Sequence, residues 1–285
     1  MNGKLTALVL ILPLFGLRSA QGASGSRPDL SRIEKLTGAK GHFDARAGIV
    51  KVTLPHSGLP PRRPQVRMAP RLGPESWVAF AAADEGSSIE GALIVSEDRV
   101  DAALSAALDA GLEVVGLQQQ FVWDHPHILR LQIRGRGNEE TLASAVGTLF
   151  TSVRRSPGTG RELATVKTEP VRPSLVPVVE AGLGVKGDLT EGVYRVSLGG
   201  DDTWATFTGT VSRTVVAGDI VVSEAELQDV LRRLRAGGFS VVGIEPATPG
   251  RTVCVHYWGL GQAQALVQGL RSALSKAGST PARGR

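Results

Sequence analysis

The sequence predicts an α+β fold in which one unit is used twice. Three observations predict it: a long self-similar block, the same order of strand-like and helix-like segments in both copies, and glycines that close equivalent helices. Ser76 to Leu117 aligns without a gap on Thr203 to Ile244 at a constant offset of 127. Trp77 falls on Trp204, Phe80 on Phe207, Gly91 on Gly218, and Val95-Ser96-Glu97 on Val222-Ser223-Glu224. Gly111, Val114, Val115 and Gly116 fall on Gly238, Val241, Val242 and Gly243. So many coincidences of Trp and Gly in one ungapped block define an internal duplication. The match continues with small changes of offset. Gly48-Ile49-Val50-Lys51-Val52 answers Gly192-Val193-Tyr194-Arg195-Val196, and Gly135 and Gly137 answer Gly259 and Gly261.

The chain starts with a signal-peptide pattern. Lys4 supplies the positive end, Leu5 to Leu17 an apolar run, and Ala20 to Ala23 small residues for cleavage after Gly22 or Ala23. An apolar run of about 13 residues is too short for a bilayer, which needs roughly 20. No Cys stands near the cleavage point, so the expectation is an exported protein, periplasmic or extracellular, without a lipid anchor. The first repeat is read over 30–155, a Gly-, Pro- and Arg-rich linker over 156–176, the second repeat over 177–277 and a flexible tail over 278–285.

Each repeat has the same plan. A strand (Ile49–Leu54, Val193–Leu198) precedes a Trp-bearing strand (Trp77–Ala81, Trp204–Thr208), then an apolar β-branched run (Ala92–Val95, Asp219–Val222). Ser96 and Ser223 follow at a helix N-cap position, with the hydroxyl expected to accept from free amides and Glu97 and Glu224 placed at the positive helix end. The helices Glu97–Ala110 and Glu224–Ala236 carry apolar residues at three-to-four spacing and stop at Gly111 and Gly237-Gly238. Two strands (Leu112–Leu117 and Ile128–Ile133; Phe239–Ile244 and Thr252–Trp258) and a last helix (Glu139–Val153, Gln262–Lys276) complete the order β-β-β-α-β-β-α. That order predicts antiparallel-rich sheets with helices on one face. The two units are expected to pack about a pseudo-two-fold axis, each covering apolar surface left by the other. The first repeat also holds a Pro- and Arg-rich insertion, Pro55 to Pro74, read as a surface loop or a lid.

Composition narrows the function. With 42% hydrophobic and 21% charged residues, the chain is an ordinary globular one. Its single Cys, Cys254, forms no internal bridge. The formal charge of +5 falls to +3 once Lys4 and Arg18 leave with the leader. The basic residues form no stripe interleaved with aromatics, which argues against nucleic acid. Membrane contact is expected only through the signal peptide.

The Trp strand, the segment Gly218-Asp219-Ile220-Val221-Val222-Ser223-Glu224, the helix after it and Val255-His256-Tyr257-Trp258-Gly259 together resemble the LppY/LpqO family, a domain of unknown function in exported bacterial proteins. The resemblance covers nearly the whole mature chain and implies no established activity. It does imply histidines: a His-Asn-His ending the fourth strand of each repeat, a His on the fifth, and in the first repeat another just beyond it. Here Gln118-Gln119-Gln120 and Glu245-Pro246-Ala247 stand at the first of these places, Gln132 at the fifth-strand place of the first repeat, and Arg136 in its Gly-x-Gly turn. Only His256 is kept. Gln is a weak metal ligand and Arg none, so the expectation is a site from which most metal or acid–base chemistry has been lost.

Several residues remain as candidates. Gln118, Gln120, Gln132, Arg136 and His256 are read as a pocket for a small polar or anionic ligand, such as a sugar or a carboxylate. Cys254 and His256 are two apart on a strand and leave the same face. With His125 and His127 from the turn before the fifth strand they form an alternative reading, a metal-binding protein or metal-dependent enzyme. Trp77 and Trp204 are read as matched core anchors. The Gly-x-Gly turns lack the third Gly of a dinucleotide site. The expectation is a secreted, non-enzymatic binding or structural protein with no cofactor.

Overall fold

The structure, a computed structural model, describes residues 27–54, 62–63, 66–67, 75–119, 127–154, 169–199, 202–247 and 251–275. The first repeat comprises α1 (Leu30–Thr37), β1 (Lys40–Asp44), β2 (Ile49–Leu54), β3 (Arg62–Arg63), β4 (Val66–Arg67), β5 (Ser76–Ala82), β6 (Ser87–Ser96), α2 (Val100–Asp109), β7 (Glu113–Gln119), β8 (Ile128–Gly137) and α3 (Glu139–Arg154). The second comprises α4 (Leu175–Leu183), β9 (Asp188–Thr190), β10 (Val193–Ser197), β11 (Trp204–Gly209), β12 (Thr214–Ser223), α5 (Leu227–Ala236), β13 (Ser240–Ala247), β14 (Thr252–Gly261) and α6 (Ala263–Leu274).

The predicted α+β class holds, with one change in how the repeats meet. They share a single antiparallel sheet of 12 strands in the order β1-β2-β5-β6-β8-β7-β13-β14-β12-β11-β10-β9. That order reads the same from either end once equivalent strands are exchanged. The junction is the pair Leu117 on β7 with Ile244 on β13. These two residues are equivalent under the repeat offset of 127, so the pseudo-two-fold axis passes between them. Both are fully buried. Each repeat satisfies the open edge of the other, which removes the exposed edge strand that either alone would present.

The helices line one side in the order α1-α3-α2-α5-α6-α4, again symmetric about the centre, where α2 meets α5. One continuous core results, with Val50, Val52, Phe80, Leu93 and Ile133 of the first repeat joined to Val196, Phe207, Ile220, Val222 and Val255 of the second. Alternation along the strands sends these residues to the helices and their neighbours to the opposite face. Polar contacts across the axis lock the helices to the sheet. Gln228 on α5 donates to the Val114 carbonyl (2.8 Å) and accepts from the Val114 amide (2.9 Å). Asp101, its equivalent on α2, accepts from the Ser240 hydroxyl (2.7 Å) and pairs with Arg235 (2.8 Å).

Other details differ from the sequence reading. Each repeat has a helix and a short strand ahead of the strand that the sequence reading placed first, α1 and β1 or α4 and β9. These are short, and their strands are edge segments with weak patterning. Gly38 and Gly184 close the two helices in the left-handed conformation, at φ 61° and 73°. Residues 171–176, placed in the linker by composition, belong to the second repeat: the Val171 amide donates to the Gly192 carbonyl (2.8 Å), and Leu175 is fully buried in α4. The serines before α2 and α5 donate rather than accept. Ser96 Oγ donates to Asp98 (2.6 Å) and Ser223 Oγ to Glu226 (2.6 Å). Glu97 opens a short 3-10 turn, Glu97–Arg99, that has Ser96 at its N-cap and leads into α2, whereas Glu224 stands before α5; their amides donate to the His127 and Arg251 carbonyls. Of the Pro- and Arg-rich insertion, the described residues form the two-residue hairpin β3–β4. The signal-peptide segment lies outside the described residues.

Among the described residues Gln228 is the sole side-chain partner of both backbone groups of Val114, and stranding such groups costs about 1–3 kcal/mol. Gln228→Ala is therefore expected to lower unfolding stability by about that much in a urea titration, whereas Gln268→Ala, on the exposed side of α6, stays within about 0.5 kcal/mol.

Candidate functional site

The open face of the sheet, away from the helices, carries the chemistry. Across the second repeat the ladder sets Trp204 on β11 beside Asp219 on β12, Asp219 beside His256 on β14, and His256 beside Gly243 on β13. The antiparallel register through Leu117–Ile244 puts Gln118 of β7 level with Gly243. The symmetric row in the first repeat runs Trp77, Ala92, Gln132, Gly116, with Glu245 level with Gly116. The two rows straddle the pseudo-dyad.

A β-bulge builds each row. Val241 pairs with Tyr257 but Gly243 with His256, so Val242 is the extra residue and stands 49% exposed. The first repeat has the same shift between Val114 and Gly116. Bulges re-aim side chains; here each sets a glycine opposite the site residue. A Cβ on Gly243 would lie 2.8 Å from His256 Cδ2, and one on Gly116 would lie 2.3 Å from Gln132 Oε1. The glycines leave the space that the imidazole and the amide fill.

His256 is held from both sides. Its Nδ1 lies 2.6 Å from Asp219 Oδ1 and its Nε2 lies 3.1 Å from Glu245 Oε1. Two carboxylates facing two ring nitrogens are both satisfied only when each nitrogen carries a proton, the imidazolium state. Burial lowers the His256 pKa, but the hydrogen bonds to Glu245 and Asp219 and the charges of both outweigh it, and the net shift is upward. Cys254 lies across the ladder from Glu245. Burial, then the charges of Asp219, Glu245 and Asp202, push its thiol up to about 11. It is a neutral thiol at physiological pH and no ready nucleophile.

Not every sequence candidate joins this centre. Gln118, Gln132 and His256 share the open face near the pseudo-dyad. His256 and Gln132 stand on strands three spacings apart, about 14 Å between backbones. They can flank one small molecule but cannot share one ion. Arg136 pairs with Ser88 four residues beyond Gln132, about 13 Å along β8, at the far end of the face. His127, half-buried at the start of β8, contributes no side chain to the cluster around His256. Gln120 and His125 lie outside the described residues. Trp77 and Trp204 are not core anchors: both are half-buried on the open face, with Lys51 5.1 Å and Arg195 4.1 Å from the ring centroids. Asp219 and Glu245 are the partners that sequence reasoning missed as site residues. Asp219 stands alone as an acid inside a β-branched run, a signal that could have pointed to it.

The two halves have diverged. Equivalence puts Ala92 where the second repeat has Asp219, Gln132 for His256, Gln118 for Glu245 and Arg130 for Cys254. Ala79, Ala81, Ala92 and Ile94 are buried on this face of the first repeat, whereas Thr206, Thr208, Asp219 and Val221 are half-exposed in the second. Among the described residues the protein is thus a two-repeat α+β protein built on one 12-stranded sheet, with one His–carboxylate centre beside its pseudo-dyad. The family described as a domain of unknown function, DUF1259, matches residues 31–151 and 199–276, and the chain belongs to that family. The match falls in two segments, one in each repeat. No curated protein and no solved structure matches the chain. No helix among the described residues is long and apolar enough to cross a membrane.

Two outcomes test this geometry. The His256 imidazole, followed by NMR, is expected to titrate above the ordinary value of about 6.5, and Asp219→Asn to bring its midpoint down. Because the folded pKa is raised above the unfolded one, the stability contributed by the charged ring is fully present below about pH 6.5 and fades as pH rises through the folded midpoint. The stability gap between wild type and His256→Gln should shrink accordingly; a gap that widens with pH contradicts the clamp. Gly243→Ala is expected to cost about 1–3 kcal/mol in urea unfolding by driving the ring off Glu245, and Gly116→Ala less, because the Gln132 amide can swing aside.

Proposed function

We propose that this chain is an exported, non-enzymatic binding protein that uses the open sheet face at the pseudo-dyad to hold a small polar ligand. The observation that carries the proposal is the clamp of His256 between Asp219 and Glu245, in line with Gln118 and opposite the mirror position Gln132. Its acidic surroundings favour a ligand that brings positive charge or hydrogen-bond donors, and oppose a carboxylate. The N-terminal pattern supports export, and the resemblance to the LppY/LpqO family supports the same setting.

A binding role fits the chemistry better than catalysis does. An imidazolium held by two carboxylates is a poor general base, and the Cys254 thiol is protonated at neutral pH. Half of the duplicated site has been replaced by Ala92, Gln118, Arg130 and Gln132, a methyl, two amides and a guanidinium in place of acid–base groups. Gln118, Gln132 and His256 stay in the ligand set from the sequence reading, and Asp219 and Glu245 join them.

NMR titration with glucosamine, a sugar bearing an ammonium group, and with citrate tests this reading. Glucosamine is expected to shift the His256 ring and the Gln118 and Gln132 side-chain amides, with affinity at least about tenfold lower in Asp219→Asn, the loss of one charged contact. Citrate is expected to leave these signals in place. Shifts with citrate alone, or with neither probe, would overturn the proposal.

A further inference from the structure

Asp219, Cys254 and His256 offer a carboxylate oxygen, a thiol sulfur and an imidazole nitrogen that all lie within 4.8 Å of one another, each on a half-buried residue. Among the described residues no other three such groups converge. They stand on two directly paired strands, since Asp219 faces His256 across the ladder and Cys254 is two residues along β14. The ladder holds all three backbones in register, so little side-chain freedom is lost in closing them on a common point. Glu245 reaches the same imidazole from β13.

We infer that this cluster is a binding site for one divalent transition-metal ion of the zinc class, ligated by Asp219, Cys254 and His256. The inference rests on the binding reading above and names an ion as the ligand of that site. Oxygen, nitrogen and sulfur donors together suit a borderline-soft ion rather than magnesium or calcium, which take oxygen ligands. One imidazole nitrogen ligates while a carboxylate keeps the other, the arrangement that fixes a metal-bound histidine. Glu245 is that carboxylate, as a positioning residue.

The first repeat cannot repeat the chemistry: Ala92, Arg130 and Gln132 supply no carboxylate, no thiolate and no imidazole there, and Arg130 brings a fixed positive charge. One ion per chain follows, not two.

Titration of the chelator-treated protein with cobalt(II) tests the inference. The expected result is one ion per chain with a thiolate-to-cobalt charge-transfer band in the near ultraviolet. Cys254→Ser should abolish the band, and Glu245→Gln should weaken binding by about 10–100-fold. Gln268→Ala should change nothing. Circular dichroism checks that each variant folds, and the stoichiometry and band of the wild type stand even if Cys254→Ser does not. No cobalt binding, a stoichiometry of two, or binding without the band would overturn the inference. If cobalt fails while glucosamine still shifts the His256 ring, the binding surface stands without its metal; if both fail, both readings fall.

Discussion

The pairing of β7 with β13 is the constraint on which the rest depends. Leu117 and Ile244 are the same residue of the repeat, so their pairing is a strand edge meeting its own copy across a two-fold axis. Each repeat alone would end in an unpaired edge, with α2 or α5 leaning over an open side. Joined, the two make one sheet and one core, and the edges left over are the short β1 and β9, of five and three residues. A longer or more apolar outer strand would invite pairing with another molecule. The cross-axis contacts of Gln228 with Val114 and of Asp101 with Ser240 and Arg235 show the helices committed to the same junction. Their exchange of Gln for Asp at equivalent positions shows that the symmetry is of backbone, not of side chain.

The same junction positions the site. Because helices cover only one side, the other side of the strands nearest the axis is free to carry polar groups. The bulges at Val115 and Val242 then do the local work. By inserting one residue, each brings a glycine opposite the fifth strand and opens room for a ring or an amide to lie flat over the neighbouring backbone. In the second repeat the room is taken by His256, and the acids on both flanking strands hold it. In the first, Gln132 takes the room, and Ala79, Ala81, Ala92 and Ile94 on the same face are buried. Duplication supplied two equivalent seats. One kept its carboxylates and its histidine, and the other has lost both.

Much of this was legible before any coordinates. The repeat, its strand and helix order, the helix-ending glycines and the shared face of Cys254 and His256 all follow from spacing, because alternation along a strand and periodicity along a helix are local rules. Local rules also explain the misses. Ser96 and Ser223 look like N-caps in one dimension, yet an acid two or three residues on draws their hydroxyls away. Trp77 and Trp204 look like core anchors, and whether a strand's odd or even residues face the helices cannot be read from one strand alone. Arg136 shares a face with Gln132 but stands too far along β8 to share its site.

By itself, the sequence determined that one α+β unit occurs twice, and that of the histidine positions implied by its family resemblance only His256 was kept. The tertiary structure alone decided that the units merge edge to edge, and that His256 meets Asp219 and Glu245. Those partners are 37 and 11 residues from it along the chain. Only strand order and register bring them together, and both are settled by non-local pairing rather than by any pattern within one segment.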